Sequence, residues 1–275
     1  MSLKVDGLSV VRGGKHLLRN VSFEARSGEV IAVLGANGAG KSTMLKTLCG
    51  EIRSSEGEIS FDGKGIDSWK IDELSKIRGV LPQSFSLNFP FRVREVTLLG
   101  RTPHVVFSES RRDHKIVADA LKMVEAAVLA ERSYPTLSGG ERQRVQLARV
   151  LAQIWEKPLC GSRYLLLDEP TSSLDLAHQH LTLQTARKFA RADTVVITVL
   201  HDLNLAAQYA DRILVLRDGK RFAFGEPKEI LTPETIKESF GIEVYVTDHA
   251  RIDNVPLIVP VGRDLENEVA LSVSA

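Results

Sequence analysis

Three apolar runs stand out along the chain because they do not alternate. Val30-Ile31-Ala32-Val33-Leu34, Tyr164-Leu165-Leu166-Leu167 and Thr194-Val195-Val196-Ile197-Thr198-Val199-Leu200 are largely apolar on successive residues, and the last two end abruptly in polar ones. Such runs predict strands buried on both faces, hence a parallel sheet covered by helices. After Lys41 the spacing changes: Thr43, Met44, Leu45 and Leu48 suit a helix. A second helix is predicted behind Ser138. Ser138 and Glu141 have capping-box spacing, and Val145, Ala148, Leu151 and Ala152 form an apolar stripe. The tail from Gly241 onward holds short β-prone runs split by prolines, either an extension packed on the core or a contact between copies.

Composition changes this picture little. The 275 residues suffice for one large α/β domain or two small ones, and a net charge of +1 gives no reason to expect nucleic acid as a partner. Cys49 and Cys160 make no disulfide framework and suit a reducing compartment. Met1 to Gly14 lacks the plan of a signal peptide, and the longest apolar runs are too short to cross a bilayer. The expectation is a soluble cytoplasmic protein whose membrane role, if it has one, comes through a partner.

Chemistry enters at the strand ends. The first strand runs into "GANGAGKST": Gly35, Ala36, Asn37, Gly38, Ala39, Gly40, Lys41, Ser42 and Thr43. Small residues let successive N–H groups turn inward around phosphates, and the following helix adds positive charge at its N-terminus. Lys41 can reach terminal phosphates, and Ser42 can offer a hydroxyl to Mg²⁺. The second run ends at Asp168-Glu169 and the third at His201-Asp202. Parallel neighbours would gather these ends at one sheet edge, where ligands of α/β sheets sit. Asp168 is placed to hold Mg²⁺ beside Ser42. Glu169 can polarise a water for attack on the γ-phosphate, and His201 can hold that water in line. A P-loop kinase would use the same first half, so the acids alone leave the reaction open.

"LSGGERQ" (Leu137 to Gln143) adds a glycine-lined helix tip at Ser138, Gly139 and Gly140, a second place for an anion. With it the chain resembles the ATP-binding cassette family across nearly its full length. The motifs stand in that family's order. After the phosphate loop come Gln83 in "LPQ", "LSGGE", "YLLLDEP", "SSLD" (Ser172 to Asp175) and "VLHDL". The resemblance implies an α/β P-loop ATPase core with a mostly parallel sheet, an inserted helical subdomain near residues 84–157 and a small antiparallel β part. It implies a cassette over 2–241 and a carboxy-terminal extension over 242–275. It also implies ATP and Mg²⁺ as ligands, Gln83 as a further Mg²⁺ and catalytic contact, and a homodimer in which each ATP lies between one chain's phosphate loop and the other's signature. Cassettes usually place an aromatic residue for adenine where this chain has Arg12, whose planar guanidinium can also stack.

"FPFRVREVTLLGRTPH" (Phe89 to His104) resembles the segment that docks on the membrane subunit in importers of iron-siderophores, vitamin B12 and heme. Within that group the extra loop Trp155 to Ser162 and "DLAHQH" after the D-loop resemble the heme importers, and the resemblance implies heme as cargo, with an iron-siderophore or B12 importer as the alternative of the same class. The implied partners are two permease subunits and a periplasmic heme-binding protein acting through them, at the cytoplasmic face of the bacterial inner membrane. A soluble, non-transport cassette ATPase is the alternative from another class; such proteins usually carry two cassettes or coiled-coil insertions, and this chain has neither. His178 and His180 lie two apart on the expected helix, so they face different ways and are read as part of a polar face rather than as heme ligands.

Overall fold

The computed structural model describes residues 2–83, 87 and 89–261. The end of the tail (262–275) and the start of the expected helical insertion (84–86 and 88) lie outside the described residues. Strands β1 (Ser2–Arg12), β2 (Lys15–Arg26) and β3 (Val30–Leu34) precede helix α1 (Lys41–Leu48). Then come β4 (Glu56–Phe61), β5 (Lys64–Gly65), α2 (Ile71–Ile77) and β6 (Arg78–Leu81). Helices α3 (Val93–Leu98), α4 (Arg111–Met123) and α5 (Gly139–Gln153) follow, then β7 (Arg163–Asp168), α6 (Leu176–Ala190) and β8 (Thr194–Val199). The chain continues through α7 (Leu203–Tyr209), β9 (Arg212–Arg217), β10 (Lys220–Gly225), α8 (Pro227–Ile230) and α9 (Pro233–Phe240), and the last elements among the described residues are β11 (Val244–Asp248) and β12 (Pro256–Pro260).

The main sheet has the order β10-β9-β3-β8-β7-β6, parallel throughout except for the antiparallel edge strand β10. The expected mostly parallel sheet is therefore present, and the three apolar runs are its neighbours β3, β8 and β7. Successive side chains serve opposite faces. Ile31, Val33, Tyr164, Leu166, Val195 and Ile197 join the core beneath the antiparallel sheet β2-β1-β4-β5 and α1. Val30, Ala32, Leu34, Leu165, Leu167 and Val196 join the other core, which reaches α4, α5 and α7. Burial on both faces is why these strands are apolar without a break.

The described residues between β6 and β7 carry α3, α4 and α5. The α5 stripe read from the sequence is inside: Val145, Ala148, Leu151 and Ala152 are buried. Ser138 caps α5 as expected, accepting from Glu141 N–H at 3.3 Å while Glu141 accepts from Ser138 N–H at 2.8 Å. Among the described residues, no helix is long and apolar enough to cross a membrane.

Candidate functional site

The loop after β3 turns under the sheet edge, and two of its glycines are sterically required. Gly35 has φ +149°, and a Cβ there would stand 2.3 Å from the Leu216 carbonyl oxygen. Gly40 has φ +101°, and its Cβ would meet Leu18 Cδ2 at 2.8 Å and the Leu17 carbonyl at 2.9 Å. Both clashes are with the framework, so the loop keeps its shape only with glycine. The turn between β9 and β10 braces it further, through Gly219 N–H donating to the Ala39 carbonyl at 3.2 Å.

Lys41 is buried, and its ammonium donates to the Gly35 carbonyl at 2.8 Å and the Ala36 carbonyl at 3.1 Å. Burial holds it below the ordinary lysine value, against the pull of the Glu169 and Asp168 carboxylates. A pocket of about 280 Å³ opens here, lined by Asn37, Gly38, Lys41, Ser42, Glu169 and His201 among others.

Asp168 ends β7 and is buried; burial first, and the neighbouring Glu169 second, push its carboxyl above the usual value. Its Oδ1 has no hydrogen-bond partner. An orphaned carboxylate oxygen near a phosphate loop that carries Ser42 fits a divalent cation. Glu169 takes a left-handed backbone, φ +50°, uncommon for a side chain of its size. That turn sends it away from Asp168's direction and into two contacts. Gln83 Nε2 donates to Glu169 Oε2 at 2.8 Å, and His201 Nε2 lies 2.7 Å from Glu169 Oε1. The residues after three different strands of the sheet (β6, β7 and β8) thus meet on one carboxylate.

Not every expected residue joins them. Ser138, Gly139 and Gly140 are not among the residues lining the phosphate pocket; Gly140 packs instead beside Leu174 of the same chain, where a Cβ would come within 3.3 Å of Leu174 Cδ2. Arg12 ends β1 opposite Lys15 at the hairpin, exposed, and the hairpin residue that lines the pocket is Leu17. His178 bonds the Asp175 cap and His180 bonds the Tyr209 hydroxyl, at 2.8 and 2.7 Å. Sequence reasoning left Gln143 without a role. Its amide donates to the Pro170 carbonyl at 2.6 Å and its oxygen accepts from Ser173, tying α5 to the turn after Glu169. Its one signal was its place inside "LSGGERQ".

Such a site, a phosphate loop facing a buried acid, an activatable acid and a histidine, belongs to a nucleotide-hydrolysing cassette. The ABC transporter family model matches residues 18–172. The chain is 56% identical over 260 residues to the hemin import ATP-binding protein HmuV of Gloeobacter violaceus, with 94% of each chain covered. It is 51% identical over 257 residues to HmuV of Pseudomonas aeruginosa, covering 94% of this chain and 99% of the relative. Among solved structures it is similar to an inward-facing conformation described as a metal-chelate type ABC transporter (TM-score 0.79, 31% identity, 96% and 98% covered). It is also similar to a dimeric bacterial ABC transporter cassette (TM-score 0.70, 28% identity, 82% and 98% covered). The chain belongs to the ABC transporter family, and it is an ATPase coupled to transport.

Proposed function

We propose that this chain powers heme import: two copies, each a cassette over 2–241 with a helical subdomain at about 84–157 and an extension over 242–275, hydrolyse ATP beneath two permease subunits at the cytoplasmic face of the inner membrane. The periplasmic heme-binding protein acts through those permeases. The observation that carries the chemistry is the placement of Glu169 between Gln83 and His201, beside Lys41.

Lys41 pairs the terminal phosphates by leaving the two loop carbonyls it now holds. Glu169 takes the proton of the attacking water, whose oxygen forms the new bond to the γ-phosphorus as the bond to ADP breaks. His201 and Gln83 fix the direction of that carboxylate. Ser42, Asp168 and Gln83 are the groups to hold Mg²⁺, which when bound neutralises phosphate charge. Ser138, Gly139 and Gly140 serve the partner's γ-phosphate, and Arg12 is the residue to stack on adenine through its planar guanidinium.

The docking reading is supported by a surface groove of about 410 Å³ lined by Phe91, Leu98, Leu99 and Val105, with exposed Phe89, Val106 and Phe107 in the same stretch of chain. Exposed apolar surface of this kind marks a contact. The cargo rests on what the relatives are named for, and the metal-chelate type neighbour keeps an iron-siderophore or B12 importer as the second reading. With its own permease in liposomes, ATP hydrolysis should be stimulated more by heme-loaded than by siderophore-loaded binding protein. Stimulation by the siderophore- or B12-loaded protein alone transfers the assignment to the second reading.

A further inference from the structure

A two-stranded ribbon is marginal in water, so β11 and β12 need something to lie against. Their inward residues Val244 and Ile258 are buried in the core that also holds Leu205 of α7 and Ile236 of α9. Exposed ion pairs reach the ribbon from α8 and α9, at Lys228–Asp248 and Lys237–Glu243, while the polar bonds from α7 come through Asn204. Asn204 Nδ2 donates to the Ile258 carbonyl at 3.0 Å, and Asn204 Oδ1 accepts from the Ile258 N–H at 2.8 Å. A primary amide offers donor and acceptor side by side, as a strand's backbone does. Asn204 therefore does for β12 what a third strand would do.

The same residue stands at the start of α7, where Asp202 accepts from Asn204 N–H at 2.8 Å and from Leu205 N–H at 2.9 Å. Asp202 directly follows His201. A helix of seven residues is too short to set its own orientation and takes it from what it packs against. The position of His201, 2.7 Å from Glu169, is thus referred through Asp202 and Asn204 to β12.

We propose that Asn204 is a positioning residue for ATP hydrolysis, clamping α7 to the carboxy-terminal hairpin so that His201 stays against Glu169. The inference rests on the reading of Glu169 and His201 as the hydrolytic pair. The test compares Asn204→Leu and His201→Ala in the full-length homodimer, measuring kcat, KM for ATP and Tm. Asn204→Leu should lower kcat about tenfold with KM within about twofold, and Tm should fall by only a few degrees, the scale for two hydrogen bonds in a chain of this length. His201→Ala should lower kcat further. If Asn204→Leu keeps a kcat within about twofold of wild type while His201→Ala is inactive, the clamp does not matter and the inference is wrong. A parallel loss of kcat, ATP affinity and Tm also overturns it, since that is a fold defect. If His201→Ala itself retains full kcat, the hydrolytic reading has failed and takes this inference with it, a pattern distinct from the other two. Should Asn204→Leu not fold, Asn204→Gln, whose longer stem misaligns both bonds, is judged by the same criteria.

Discussion

Asp168 and Glu169 are adjacent in the chain and opposite in surroundings. Asp168 is buried with one orphaned oxygen, whereas both oxygens of Glu169 are engaged, by Gln83 and by His201. Their substitutions should differ accordingly. Glu169→Gln keeps size and hydrogen bonding but cannot take a proton, so turnover should fall at least about 10²-fold while ATP still binds and holds the dimer together. Steady-state hydrolysis and gel filtration with ATP check both halves. Lys41→Ala should instead weaken ATP binding itself, since a phosphate-pairing charge is lost, and equilibrium binding reads this directly. Gly35→Ala should lower both Tm and ATP affinity, because its Cβ would collide with the Leu216 carbonyl oxygen.

At the scale of elements, the helices between β6 and β7 are joined by a buried ion pair. Arg101 is almost wholly buried and bonds Asp113 at 2.8 Å, the Ala152 carbonyl at 2.7 Å and Glu156. Burial opposes ionisation of Asp113, but hydrogen bonds from Ser110 and Arg101 outweigh it and hold the carboxyl far below the usual range. A depressed folded value means the stabilisation is complete above the ordinary aspartate value of 3.8 and is lost as pH falls through the lower folded one. Asp113→Asn should therefore cost about 2 kcal/mol at neutral pH, the scale for hydrogen bonds to a charged group, since Arg101 keeps Glu156 as a partner. Denaturant melts should show that difference shrinking below pH 3.8. This pair was not legible in the sequence, whereas β3, β7, β8 and the α5 cap were. The strands announce themselves by unbroken apolar runs and the cap by a three-residue spacing, both local signals. Arg101 looks like any surface arginine until the fold places Asp113 beside it. The same holds for Asn204, whose partner Ile258 lies 54 residues away. The phosphate loop and both acids were legible because their chemistry follows directly on the strand ends. That Gln83 and His201 would share the oxygens of Glu169 was not, since it depends on strand order.

For the whole molecule, one chain keeps its signature tip out of its own phosphate pocket, in keeping with a site completed by a second copy. Lys41→Ala and Ser138→Arg should then damage opposite halves of each composite site. A mixed dimer with one mutant of each kind would hold one doubly damaged site and one intact site. A dimer with both mutations in one chain would hold two sites damaged once each. The first should bind one ATP normally and the second none. Equal binding by the two would show that Ser138 does not act across the interface.

Helix α5 has a different partner at each end. At its carboxyl end the segment after α3 is pressed onto it. A Cβ on Gly100 would stand 2.1 Å from the Arg149 carbonyl oxygen, Arg101 holds the Ala152 carbonyl, and His104 Nε2 lies 2.7 Å from the Gln153 carbonyl. At its amino end is the Ser138 tip, 15 residues and about 22 Å away. The helix is therefore a strut about 22 Å long that joins the segment beside the apolar groove to the Ser138 tip. A tilt of about 10° about the carboxyl end would carry the amino end through about 4 Å, further than any hydrogen bond stretches, so the turn that Gln143 holds would have to move with it. A displacement of the segment beside the groove would thus be passed, through Gln143, to the turn that carries Pro170 and Ser173.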